Sequence, residues 1–132
     1  MKQIHDIEIM APVGCWESLA AALEAGATSV YFGIEHLNMR ARSSANFTTQ
    51  DLHTIVERCQ AAGVKTYLTL NTVMYPEDLA LMREIVDHAK AAGLSAIIAS
   101  DIAVLQYANE IGVEVHLSTQ LNISNTEALK FY

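Results

Sequence analysis

The chain is 132 residues long with a formal net charge of −7, and 52% of its residues are hydrophobic against 17% charged. That balance supports a buried core and excludes a disordered segment, while the acidic surplus argues against broad nonspecific binding to nucleic acid. No apolar run approaches the roughly 20 residues a membrane helix needs, Met-Lys-Gln-Ile-His-Asp lacks the apolar centre of a signal peptide, and Cys15 and Cys59 are too few for a disulfide framework. A soluble protein in a reducing cytoplasm is expected, with no membrane partner.

Ile7-Glu-Ile-Met10 reads as a first strand, broken by Ala11-Pro-Val-Gly14. Trp16, Leu19, Ala20 and Leu23 recur at helical spacing up to Gly26. Ser29 to Gly33 is a second strand, followed by a polar stretch, Asn38 to Phe47, with two arginines. Thr48 is an N-cap with Asp51 three residues on, in a variant of the capping box. Leu52, Ile55, Val56 and Cys59 form the apolar face of that helix, which Gly63 ends. Val64 to Leu70 is a third strand, Glu77 to Ala92 a helix, and Ser95 to Ala99 a fourth strand. Ser100 or Asp101 caps a short helix ending near Gly112, Val113 to Leu117 is a fifth strand, and Ser124 with Glu127 opens a last helix.

Leu23-Glu-Ala-Gly26, Cys59-Gln-Ala-Ala-Gly63, Lys90-Ala-Ala-Gly93 and, more loosely, Asn109-Glu-Ile-Gly112 each end a helix and precede a strand. Helix, glycine, strand and polar tip make the β/α unit of a parallel sheet, and such crossovers are right-handed almost without exception. A barrel or an open doubly wound sheet would result. Open parallel sheets are apolar on both faces. Here Val113, Val115 and Leu117 oppose Glu114, His116 and Ser118, and Thr66, Leu68 and Leu70 oppose Lys65, Tyr67, Thr69 and Asn71. One polar face fits a barrel whose lumen is partly polar. The expected fold is α/β, with parallel β/α repeats forming the first half, about five strands, of a TIM-barrel-like domain. A complete barrel takes ~250 residues, so residues 1–132 are expected to be one truncated domain, the N-terminal part of a longer architecture. Its open edges call for a partner: the C-terminal half of the barrel or a second copy of the chain, unless the last helix shields them.

In a barrel, function sits at the C-terminal ends of the strands. Arg40 and Arg42 offer forked donors for carboxylate or phosphate, or are solvated loop arginines. Asn46 is a ligand donor or a turn residue. Asn71, Ser118, Gln120 and Asn122 are neutral hydrogen-bonding groups that orient a ligand or close loops onto backbone. Asp101 is a general base or, more simply, a helix cap. His116 faces the lumen with Glu114 and Glu8, as a proton-transfer group or a satisfied internal histidine. Cys15 sits where a helix starts, without a histidine near it in sequence; Cys59 packs. The histidines have no metal-ligand spacing. A Gly-rich phosphate loop, a Gly-x-Ser-x-Gly elbow, a strand-end lysine for Schiff-base chemistry and a cysteine cluster for iron–sulfur are all absent from the sequence.

Several motifs, in order, resemble the opening of the peptidase U32 family, the collagenase-like proteases. They are Ile9-Met-Ala-Pro-Val-Gly14, Ala21-Ala-Leu-Glu-Ala-Gly-Ala27, Val30-Tyr-Phe-Gly33, Arg40-Ala-Arg-Ser-Ser-Ala-Asn-Phe47, Leu70-Asn-Thr72 and His116-Leu-Ser-Thr-Gln-Leu-Asn122. The resemblance implies a TIM-barrel-like N-terminal domain and, by motif, Arg40, Arg42, Asn46, Asn71, Ser118, Gln120 and Asn122 as surface residues of the site. It implies two chemistries: collagenolytic hydrolysis, or oxygen-independent hydroxylation of RNA bases or a quinone precursor at a four-cysteine iron–sulfur site beyond this chain. No cofactor is expected within these residues, which lack protease machinery and are expected to be inactive alone. Peptide, RNA or a small molecule are the substrate classes, and a stand-alone module binding small anions is the remaining alternative.

Overall fold

A computed structural model describes residues 7–39 and 47–132. Five strands form one parallel sheet in sequential order: β1 (Met10–Pro12), β2 (Ser29–Gly33), β3 (Lys65–Leu70), β4 (Ala96–Ala99) and β5 (Val115–Leu117). The helices between them are α1 (Trp16–Glu24), α2 (Thr49–Ala61), α3 (Leu79–Ala92) and α4 (Ile102–Ile111), with α5 (Thr126–Phe131) after β5. Sequential order means that every crossover steps the same way. With right-handed crossovers all connecting helices then lie on one face of the sheet, which is the winding of a barrel; a doubly wound sheet reverses its order.

The glycine repeat has one physical cause. Gly26, Gly63, Gly93 and Gly112 all take left-handed φ, between 68° and 84°, a conformation open to glycine without steric cost. After each, the next N–H reaches back five residues: Ala27 to Ala22 O at 3.0 Å, Val64 to Cys59 O at 2.8 Å, Leu94 to Ala89 O at 3.0 Å and Val113 to Ala108 O at 2.8 Å. This is the bonding of a Schellman helix stop. Three strand starts also differ from expectation, two of them because of these stops. Val64 and Val113 spend their N–H groups on ending helices, so pairing begins at Lys65 and Val115, and β4 begins at Ala96 after Ser95 bonds Thr66.

Two further boundaries differ from expectation. The first strand runs Met10–Pro12 rather than Ile7–Met10, because Ala11 and Pro12 pair with Val30 and Tyr31. Proline fits there because β1 is the edge strand of the sheet among the described residues, with no second neighbour there to receive an N–H. The last helix is capped by Asn125, whose side chain accepts from Ala128 N at 2.9 Å, and not by Ser124. The other expected caps stand: Thr48 and Asp51 bond reciprocally, and Asp101 rather than Ser100 caps α4.

The core lies between the sheet and the helices. Val30, Phe32, Leu68, Leu70 and Ile97 meet Leu19, Leu52, Ile55, Met82 and Ile85, all buried. Cys59 is fully buried in this layer, as expected, and burial pushes its thiol pKa up. Among the described residues no helix is long and apolar enough to cross a membrane.

Candidate functional site

The other sheet face is polar and curled, and Tyr67 at its centre shows the curl. Its hydroxyl donates to Glu8 Oε1 at 2.7 Å, just ahead of β1, and its ring lies 5.1 Å from that of His116 on β5. β1 and β5 are each two strands from β3. In a flat sheet that is about 10 Å in either direction, so one side chain touching both neighbours requires a concave surface. His116 Nε2 in turn lies 2.9 Å from Glu114 Oε1. The face thus carries a continuous series, Glu8–Tyr67–His116–Glu114. Glu8 and Glu114 were read from alternation alone; the part played by Tyr67 was not, because its partner lies 59 residues away.

The electrostatics of the series follow from its bonds. The Tyr67 hydroxyl stabilises the Glu8 carboxylate and holds its pKa below the ordinary 4.5. Burial, the hydrogen bond to Glu8 and the charges of Glu8 and Glu114 together push the Tyr67 phenol up to about 12. A raised pKa in the folded state stabilises fold below the unfolded value of 10, and that contribution is lost as pH rises through about 12. Glu8 acts in the opposite window: its contribution is present above 4.5 and lost as pH falls through the lowered value. In an alkaline titration followed by tyrosinate absorbance, the step near pH 12 is expected to vanish in Tyr67→Phe. Its persistence would show that another tyrosine gives the step and that the Tyr67 phenol is not the one pushed up to about 12.

At the C-terminal ends of the strands the tips are tied to one another. Asn71 Oδ1 accepts from Met39 N at 3.2 Å, and Asn71 O accepts from Ser100 Oγ at 3.1 Å, so one residue joins the segments after β2, β3 and β4. Asp101 accepts from Ala103 N at 2.8 Å as the cap of α4 and from Met74 N at 2.9 Å across the rim. Its carboxylate is thereby engaged on both oxygens, the bonding of a cap and brace. Ser118, nearly buried, is held by its N–H on Ala99 O and donates its hydroxyl to Gln120 Oε1 at 3.0 Å. Thr119–Leu121 form a short 3-10 turn ended by Asn122 in a left-handed conformation with φ 49°. Gln120 and Asn122 stand exposed on the rim.

The expected site residues therefore fall into two groups. Asn71, Asp101, Ser118, Gln120 and Asn122 share the rim, and His116 lies on the concave face two residues below Ser118. Arg40, Arg42 and Asn46 lie outside the described residues; their flanks are fixed, Met39 by Asn71 and Phe47 by pairing with Ile34 and a 2.9 Å bond from Glu35 N to Phe47 O. Thr72, part of the Leu70-Asn-Thr72 motif but not singled out as a site residue, has its Oγ1 buried with no hydrogen-bond partner among the described residues. Cys15 caps α1 at this same end, its sulfur 3.2 Å from Ser18 Oγ. Two cysteines, one half-buried on the rim and one sealed in α2, do not fit a four-thiolate cluster.

A singly wound parallel sheet, helices outside and polar strand tips gathered at one end, defines the class: a TIM-barrel-like α/β domain. The chain belongs to peptidase family U32, whose family model matches residues 14–132. It is 70% identical over 98% of its length to a collagenase of Porphyromonas gingivalis, covering 31% of that protein. It is also 31% identical over 95% of its length to tRNA hydroxylation protein P1 of Bacillus subtilis, covering 30% of that protein. The chain thus spans about a third of the length of the curated relatives it matches. Among solved structures, the HMG-CoA lyase of Brucella melitensis aligns with a TM-score of 0.68 at 11% identity, over 98% of this chain and 54% of that one, a likeness of fold alone.

Proposed function

We propose that this chain is the pocket-forming N-terminal part of a collagenase-like hydrolase. The observation that carries the reading is the 70% identity, along nearly the whole chain, to a protein named collagenase. The rim suits a polypeptide substrate: Gln120 and Asn122 present neutral amides of the kind that pair with peptide N–H and C=O groups. Asn71 and Asp101 act beneath them, joining the loops that carry the site. The barrel is completed by further β/α units of the same polypeptide docking on β5. Its open edge lies in a groove lined by Val113, Val115 and Leu117 with Leu105 of α4 and Phe131 of α5. Phe131 is 76% exposed, so α5 borders this groove without sealing it. A cytoplasmic location is part of the proposal.

The 31% identity to a tRNA hydroxylation protein favours a second reading, in which this chain is the recognition half of an RNA-modifying enzyme. Its iron–sulfur chemistry would rest on residues other than these. Incubating fluorescent gelatin with a protein of the relatives' full length separates the two. The first reading expects peptide release that the 132 residues alone do not give, and about a tenfold lower kcat/KM for Gln120→Ala, one lost recognition contact's worth. Intact gelatin, together with restored hydroxylation in a tRNA-hydroxylation-deficient strain, would establish the second.

A further inference from the structure

The concave face holds a paired imidazole and carboxylate that rim recognition does not use. His116 is the middle residue of β5, one position from the strand's C-terminal end, where barrel enzymes place their reacting groups. Its side chain is 42% exposed and opens onto the same concavity that the rim encloses. A carboxylate accepts and cannot donate, so in the 2.9 Å contact with Glu114 it is Nε2 that carries the proton. In the neutral form of the ring the lone pair is then on Nδ1. The Tyr67 ring, 5.1 Å away and tilted by 46°, limits how the imidazole can turn.

We propose that His116 is the proton-transfer residue of this pocket, with Glu114 as the carboxylate that sets its tautomer and orientation. The assignment rests on the hydrolytic reading. Nδ1 takes a proton from water as the water oxygen bonds to the peptide carbonyl carbon. Glu114, still ionised, stabilises the imidazolium. When the C–N bond breaks, the same proton passes from Nδ1 to the departing nitrogen, leaving a carboxylic acid and an amine. One water is consumed per bond and nothing is oxidised or reduced. Tyr67 is excluded from this role, since its hydroxyl already donates to Glu8 and its phenol titrates near 12. Asp101 is excluded because both its oxygens are engaged by backbone N–H groups. The logic is that of any base held in place by a third group.

The test is His116→Gln in the full-length protein, a change that keeps a donor for Glu114 and removes the base. Gelatin hydrolysis is expected to lose about a hundredfold or more in kcat with KM and melting temperature little changed; Glu114→Gln is expected to lose less. Independently, nitrogen-15 NMR of the 132-residue chain is expected to show His116 as the Nε2-protonated tautomer, changed by Glu114→Gln. Full hydrolysis by His116→Gln would overturn the assignment and leave the collagenase reading standing. A dominant Nδ1-protonated tautomer would overturn it whatever the substrate. A wild-type protein that leaves gelatin intact would sink the collagenase reading and the hydrolytic step together.

Discussion

Phe32→Ala is expected to cost about 3–5 kcal/mol, the range for deleting a buried aromatic ring, a large share of the roughly 5–15 kcal/mol that stabilises a domain. Phe32 is fully buried in β2 on the helix-facing side. Its ring meets that of Phe47 edge-on at 6.2 Å, and Phe47 meets Trp16 at 5.2 Å. The three rings join the start of α1, the second strand of the sheet and the approach to α2. Losing Phe32 leaves a void that the flanking strands cannot close, because β1 and β3 hold β2 on both sides through their backbones. Urea unfolding would read the loss directly. A change below about 1 kcal/mol would mean that the core is not packed as described.

Gly33→Ala is expected to cost about 3 kcal/mol, combining overpacking with the disruption of a buried polar group. Gly33 is not in the left-handed region, so backbone strain plays no part; the objection is steric. A Cβ there would fall inside contact distance of the Asn38 side chain. Asn38 is only 2% exposed and has nowhere to go. Its amide donates to Ile34 O and Glu35 O, each at 3.3 Å, and closes the turn that leads to Met39 and the rim. A double-mutant cycle isolates this cause. Gly33→Ala combined with Asn38→Ala is expected to cost less than the sum of the two single changes, because the second removes the obstacle. Strict additivity would show that the two residues do not compete for one space.

The four helix-ending glycines were readable because a left-handed stop is a local requirement, met within five residues of chain. The period they set gave the β/α order, and period-two alternation gave the polar face with Glu114 and His116. The same stops explain two misplaced strand starts: Val64 and Val113, each the residue after a glycine, look like strand residues but spend their N–H groups on the helix behind them. Pro12 was read as a breaker because the local rule does not know that β1 is an edge. Asn71 was seen as a neutral hydrogen-bonding group at a strand end, but its bond from Met39 N spans 32 residues, and nothing near either end announces it. Tyr67 was placed on the polar face and Thr72 within a motif, but what their hydroxyls meet was not legible for the same reason; a buried hydroxyl is a tertiary fact.

The most direct measurement is a pair of nuclear Overhauser contacts from the assigned Tyr67 ring, one to His116 and one to Glu8. Both are expected, since the ring centroids of Tyr67 and His116 lie 5.1 Å apart and the Tyr67 hydroxyl sits 2.7 Å from Glu8. A spectrum in which Tyr67 contacts only β2 and β4, with neither Glu8 nor His116 in reach, would describe a flat sheet and contradict the pocket.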